Sequence, residues 1–247
     1  MIPSELRKQA REALKGNWGK AILLFLAYFF FVVIMDSFEK IFFKSPSLTI
    51  SYSIIKCLII VPLAFGFGIS FLNLKRHKVT TAFSFITEGF SRFGKVWTIT
   101  LWVVVRMLLP ICCFIMAIIL IAILMALQVK FWLVLIISII TYLACIVYAV
   151  ARGLLYSLVY YIASDEPDLS SKEIVKKSEE LMTGNRGNLF LLELSFIGWF
   201  FLGFLTLGIG IIWIAPYLQV SVVCFYDKLV GKDVEKVEET KEEKIEE

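Results

Sequence analysis

Long apolar runs constrain this chain more than any other feature. "AILLFLAYFFFVVIM" (21–35), "IIKCLIIVPLAFGFGISFLNL" (54–74) and "WLVLIISIITYLACIVYAV" (132–150) are examples. Several such runs exceed the ~18 apolar residues that mark a membrane span. With 59% hydrophobic residues, the 247-residue chain carries more apolar surface than one soluble core hides. Transmembrane barrels are built from ~10-residue alternating strands, and that alternation is absent. The pattern predicts an all-α, polytopic helical bundle. The first apolar run follows about twenty polar residues and has no small-x-small cleavage site, so the first span is expected to be retained.

Six spans are predicted, at 20–42, 54–74, 96–127, 131–162, 188–206 and 209–227. "QVK" (128–130) and "TLG" (206–208) are so short that the spans they join must form tight helical hairpins. Lys and Arg set the orientation. One side collects Arg7, Lys8, Arg11, Lys15 and Lys20, then Lys75, Arg76, Lys78, Arg92 and Lys95, then Lys172, Lys176, Lys177 and Arg186. The other keeps only Lys40, Lys44 and Lys130, with Lys56 on the borderline. The prediction is a plasma-membrane protein with both termini cytoplasmic. Trp18, Trp97 and Trp132 suit the interfaces, where indole is favoured.

Spans three and four are too long for the bilayer. Thirty-odd residues at about 1.5 Å each reach ~50 Å against a ~30 Å hydrocarbon core. Arg106 precedes Gln128 by 22 residues, and Arg152 follows Lys130 by 22. Each therefore lies ~33 Å from the outer turn, as a matched pair at the inner boundary. There they can snorkel into headgroups or bind a substrate or partner.

The chain also repeats itself. Residues 5–24 aligned on 173–192 share eight of twenty positions, among them Gly16/Gly184, Asn17/Asn185 and Gly19/Gly187. In both copies an amphipathic helix precedes the "GNxG" and a long apolar run follows it. Ser4 is expected to start the first helix; Ser170 with Glu173 forms a capping box for the second. "GNxG" reads as a hinge in which Gly, and Asn less easily, takes a left-handed conformation. A weaker third copy has Ala82, Phe83, Ile86, Phe90 and Phe93 on one face, with "FGK" (93–95) in place of "WGK" (18–20). Residues 1–227 thus read as one membrane domain of three units, about 1–75, 79–164 and 168–227. Each is a cytoplasmic-face amphipathic helix followed by a hairpin, repeated about an axis along the membrane normal. Residues 228–247 read as a charged, solvated cytoplasmic tail.

"GNRGNLFLLELSFIGW" (184–199), "GIGIIWIAPY" (208–217), "FY" (225–226) and the opening "AREALKGNWGKAI" (10–22) resemble a bacterial membrane protein family known as domain of unknown function nine-seven-five. Leu194, Ser195, Phe196, Gly198, Trp199, Pro216, Tyr217, Phe225 and Tyr226 carry the later part of the match. The resemblance implies six spans in the cytoplasmic membrane, and no biochemical activity comes with it. A more distant similarity to membrane domains attached to some glycerophosphodiesterases hints at lipids.

Catalytic chemistry is sparse. HExxH, GxSxG and P-loop patterns are missing, and "GFGIS" (66–70) suits close helix packing better than phosphate binding. No CxxC pair occurs among Cys57, Cys112, Cys113, Cys145 and Cys224, which read as small packing residues. His77 alone makes no metal site. The expectation is no enzyme, no cofactor and no metal. Glu193 is the most informative residue, ~10 Å inside the inner boundary. It is protonated, paired with Arg106 or Arg152, or open to a water-filled cavity. Its roles are then a lock between hairpins, proton or cation coupling, or headgroup contact. Pro62, Pro110 and Pro216 interrupt spans and, with Gly208, Gly210 and Gln219, mark a cavity if one exists.

Two functions compete. One is a non-enzymatic scaffold or accessory subunit binding lipid or a membrane-protein partner. The other is a small-molecule, ion or lipid transporter with Glu193 in its pathway. The expected partners are membrane lipids, with anionic headgroups at the cytoplasmic face, and a membrane protein; nucleic acid is not among them.

Overall fold

A computed structural model of the chain describes residues 2–43, 45–76 and 80–232. Lys44, His77, Lys78 and the Glu/Lys-rich tail beyond 232 lie outside the described residues. Every described element is helical. The order is α1 (Pro3–Leu14), α2 (Trp18–Phe42), α3 (Pro46–Lys75), α4 (Ser84–Ser91), α5 (Phe93–Ala126) and α6 (Phe131–Gly153). A 3-10 turn (Leu154–Tyr156) then leads to α7 (Val159–Asp165), α8 (Ser171–Met182), α9 (Arg186–Leu194), α10 (Ile197–Leu205) and α11 (Ile211–Leu229).

Five helical segments are long and apolar enough to cross a membrane: 18–42, 46–75, 93–126, 131–165 and 186–205. Helix α11 falls short of that standard, because Pro216, Tyr217, Gln219, Ser221, Asp227 and Lys228 dilute it. It is also a packing element, with Ile214, Val220, Val223, Cys224, Phe225 and Tyr226 all buried.

Two expected spans are broken. Span four ends as a regular helix at Gly153 and resumes as α7 after the 3-10 turn. Span five tightens at Ser195 and Phe196, where the Phe196 amide reaches back only three residues to Glu193. The prolines do not break their helices. Pro62, Pro110 and Pro216 are each buried and lie inside a continuous helix.

The short outer turns close as expected, and by one device. Val129 donates to the Leu124 carbonyl and Gln128 to Met125; Gly208 donates to Gly203 and Leu207 to Phe204. This is the paired bonding that satisfies the last carbonyls of a helix. Both turns place a non-glycine residue in the left-handed region, Gln128 at φ 53° and Leu207 at φ 54°.

The core gathers at the end of the bundle that carries α1, α4 and α8. Leu6, Ala10 and Leu14 of α1 and Ile174, Val175, Ser178 and Met182 of α8 turn their apolar faces inward. Helix α1 packs on α11, and α8 on α5, α7 and the 3-10 turn. Helix α4 lies across α3 at backbone distance. A Cβ on Gly66 would fall 1.9 Å from the Phe85 carbonyl oxygen, and one on Gly89 would fall 2.4 Å from the Pro62 carbonyl oxygen. "GFGIS" is therefore a packing motif.

The middle unit departs from the expected repeat. Phe85 and Gly89 are its buried residues, while Phe83, Phe90 and Phe93 are exposed. The α3 contact, rather than helical amphipathicity, decides which face goes in. Nor is there a glycine hinge at 93–95, since α5 begins at Phe93 with Gly94 already helical.

The cysteine reading also needs correction. None of the five forms a disulfide among the described residues, yet only Cys224 is buried; Cys57, Cys112 and Cys113 lie on exposed helix faces.

Candidate functional site

The "GNxG" hinges form the clearest local structure. Lys15 (φ −60°, ψ 120°) is followed by Gly16 at φ 81°, and the Asn17 amide donates to the Leu14 carbonyl at 2.9 Å. Thr183 (φ −66°, ψ 121°), Gly184 at φ 83° and a 3.0 Å bond from Asn185 to Met182 repeat it. These are type II β-turns, whose third position calls for glycine. Only Gly16 and Gly184 carry that need. Gly19 and Gly187 lie inside the next helix with open space around them, and Asn17 and Asn185 have negative φ as the residues preceding that helix. The Asn185 side-chain amide instead donates to the Leu181 carbonyl.

The amphipathic helices start differently from one another. Helix α8 has the expected capping box, with the Ser170 and Glu173 backbone amides each meeting the other's side chain. The hydrogen bonds from the Ser170 hydroxyl and amide hold the Glu173 carboxyl below its ordinary range. Their contribution is present above that ordinary pKa and is lost as pH falls through the depressed value. Helix α1 starts instead at Pro3, preorganised for a first helical position, with Ser4 already inside.

Arg106 and Arg152 do come together. Arg152 donates to the Arg106 backbone carbonyl at 3.3 Å. The Arg106 guanidinium meets both oxygens of Glu179 on α8, at 2.7 and 2.8 Å, and the Tyr156 hydroxyl donates to the same carboxylate at 2.8 Å. The cluster ties the α5–α6 hairpin to the amphipathic helix α8. Arg152 Nε is buried and without a hydrogen-bond partner.

Glu193 is not the partner of either arginine. It stands exposed on the last turn of α9, beside the break before α10, with no ion pair among the described residues. The Arg106 side chain is held instead by Glu179, which joins the hairpin to an amphipathic helix rather than to another hairpin.

A larger charge cluster joins the ends of three long elements. Arg76, just past α3, meets Asp165 of α7 at 2.5 and 3.0 Å and Asp227 of α11 at 2.5 Å. Lys75 reaches Asp227 at 2.7 Å, Lys232 reaches Asp165 at 2.8 Å, and the Tyr226 hydroxyl donates to Asp165 at 2.8 Å. Tyr161 stacks on Tyr226 with ring centroids 5.4 Å apart. Burial disfavours the Arg76 charge, but the two aspartates outweigh it and raise its pKa above the ordinary guanidinium value. At the opposite end of the first hairpin, Lys56 meets Asp36 at 3.2 Å and also Glu39, which accepts a bond from Ser53.

These acids were missed from sequence. Orientation was read from Lys and Arg alone, and Asp165, Glu179 and Asp227 fall on the same side as the cations they meet.

The family-motif residues divide in two. Phe196, Pro216, Tyr217, Phe225 and Tyr226 are buried. Phe196 meets Tyr217 edge-on at 5.0 Å, and the Tyr217 hydroxyl donates to the Arg7 carbonyl at 3.0 Å, tying α11 to α1. Leu194, Gly198 and Trp199 are exposed, and Ser195 bonds the Leu192 carbonyl at the helix break.

Several clefts open on the helix faces. One of about 400 Å³ runs between α6 and α9, another of about 400 Å³ between α2 and the α10–α11 turn, and a third of about 300 Å³ beside Pro110 between α5 and α6. Their walls are almost wholly apolar, and Glu193 lines none of them. No three His, Cys, Asp or Glu side chains converge as a metal site among the described residues.

An all-helical chain with five segments able to span a bilayer has the character of a multi-pass membrane protein. Residues 1–233 match the family described as protein of unknown function (DUF975), and the chain belongs to that family. No curated protein and no solved structure matches it.

Proposed function

We propose that this protein is a non-enzymatic scaffold or accessory subunit of the cytoplasmic membrane. In this reading α11 completes six spans, and the amphipathic-helix end faces the cytoplasm with both termini. The observation that carries the proposal is the α5–α6 hairpin. Only 6% of the most apolar stretch of each of these helices is buried inside the protein, against 50% for α3. Its root is held by the Arg106–Glu179 pair, so a stiff two-helix arm is presented to other membrane components. Packing with another membrane protein needs no rearrangement of the bundle, because helix association in lipid rests on surface fit. Native mass spectrometry of the protein in nanodiscs cut from its own membrane tests this. A stoichiometric protein partner, lost when the arm's exposed face is changed to bulky residues, is the expected result. A protein that always emerges alone would sink the scaffold reading.

Transport is the second reading, favoured by one observation: Glu193 is an unpaired carboxylate beside a break between two halves of a span. Broken spans with ionisable groups recur in transport pathways. Loss of proton- or cation-coupled flux in Glu193→Gln proteoliposomes, with the fold intact, would favour it.

A further inference from the structure

We propose that the groove between α6 and α9 binds one acyl chain of an anionic phospholipid, with Arg186 holding the headgroup. This rests on the lipid- and partner-binding reading above and names a ligand for it. The groove has about 400 Å³ and is lined by Ile146, Val147, Val150, Leu154 and Phe190, with Arg186 and Gly187 where α9 begins. That volume lies in the usual range of about 300–1,000 Å³ for small-molecule sites.

Its long wall covers residues 146 to 154 of the fourth span, a rise of about 12 Å along the helix. Arg186 stands 20 residues before Thr206 of the outer turn, ~30 Å away and so level with the headgroups. The groove therefore runs from the charged boundary into hydrocarbon, as an acyl chain does. Arg186 makes no ion pair or side-chain hydrogen bond among the described residues, unlike Arg76 and Arg106, which are matched by carboxylates. An apolar slot with one uncommitted cation on its rim complements an amphiphile with a negative head.

The other copy of the repeat differs at this position. There Trp18 occupies the position of Arg186, and its ring packs 6.3 Å from Tyr217.

The test uses the full-length protein in vesicles of equal phosphatidylglycerol and phosphatidylcholine with matched chains, with retained lipid counted by native mass spectrometry. Wild type is expected to retain one phosphatidylglycerol in preference. Arg186→Gln should lower that preference about fivefold, the worth of one cation near an anionic headgroup. Arg186→Lys should keep most of it, and Val150→Trp should expel the lipid by filling the slot. Equal retention of the two lipids by wild type, or an unchanged preference in Arg186→Gln, overturns the proposal. So does undiminished retention in a folded Val150→Trp.

Should Val150→Trp not fold, Phe190→Trp reads the same groove through quenching by brominated chains. Quenching stronger with brominated phosphatidylglycerol supports the site, and equal quenching by both lipids rejects it. If the lipid preference follows Arg186 while no protein partner appears in native nanodiscs, the scaffold reading fails and the lipid site stands.

Discussion

The amphipathic-helix end and the α5–α6 arm are built from similar residue types and organised in opposite ways. At the amphipathic-helix end, α3 is half buried, backbones touch through Gly66 and Gly89, and charged side chains are matched inside the fold. Along the arm, Leu109, Ile119, Ile136 and Leu143 are all exposed, although α5 also packs on α3, α4 and α8. Lipid makes the difference tolerable. A leucine facing acyl chains loses nothing that burial would restore, so a membrane protein can leave one hairpin outside its core. What a membrane does not solvate is charge and unpaired backbone, and those are the groups the other end gathers in.

Glycine substitution should break this contrast most forcefully. Gly66→Ala must push α4 off α3, at a cost of about 3 kcal/mol or more, read as a fall in unfolding midpoint in defined lipid. Gly198→Ala, made where there is open space, is its control and should be silent. Similar midpoints for the two would show that the close crossing is not structural.

Asp227→Asn comes next. It removes the carboxylate that Lys75 and Arg76 share, leaving Arg76 with Asp165 alone, and is expected to cost about 2–3 kcal/mol. A smaller loss than that of Lys228→Ala, whose pair with Glu5 is exposed, would contradict the importance of the cluster.

The hinges sharpen the comparison within one motif. Gly16→Ala or Gly184→Ala forces a side chain into the left-handed region and should cost about 1–2 kcal/mol. Gly19→Ala and Gly187→Ala should be neutral or slightly stabilising, since both sit in helix. Equal effects at the two glycines of a pair would refute the type II turn.

On the arm, Ile119→Ala should shift stability by no more than about 0.5 kcal/mol, as exposed positions do. Glu193→Gln should be equally mild, because no partner is lost. A large loss there would restore the lock between hairpins.

Length and apolarity made the helical class and the hairpin turns legible in the sequence, because both are properties of contiguous residues. The left-handed glycines of the two hinges were legible too, since Gly16 and Gly184 at matching places pointed to one backbone need, but the type II turn that holds them was not. The middle unit was misread because its inward face is chosen by Gly66 and Pro62, which sit on another helix. Helix α11 is the subtler case. Its moderate hydropathy reflects a second duty not legible in the sequence: Tyr217 and Tyr226 above all serve side-chain hydrogen bonds to α1 and α7. Glu193 drew notice as a lone carboxylate in an apolar run. Glu179 did not, although it holds the arm, because a glutamate on a polar helix looks ordinary until its neighbours in space are known.

The Arg76 cluster has a consequence for the order in which the protein is made. Two of its cations come from residues 75 and 76 and a third from residue 232, and its anions from residues 165 and 227. A growing chain exposes the first two cations long before the second aspartate leaves the ribosome. During that interval Arg76 has yet to meet Asp227. Once α11 arrives, the same charges are consumed by the fold. The cluster is thus complete only after the last long helix has packed.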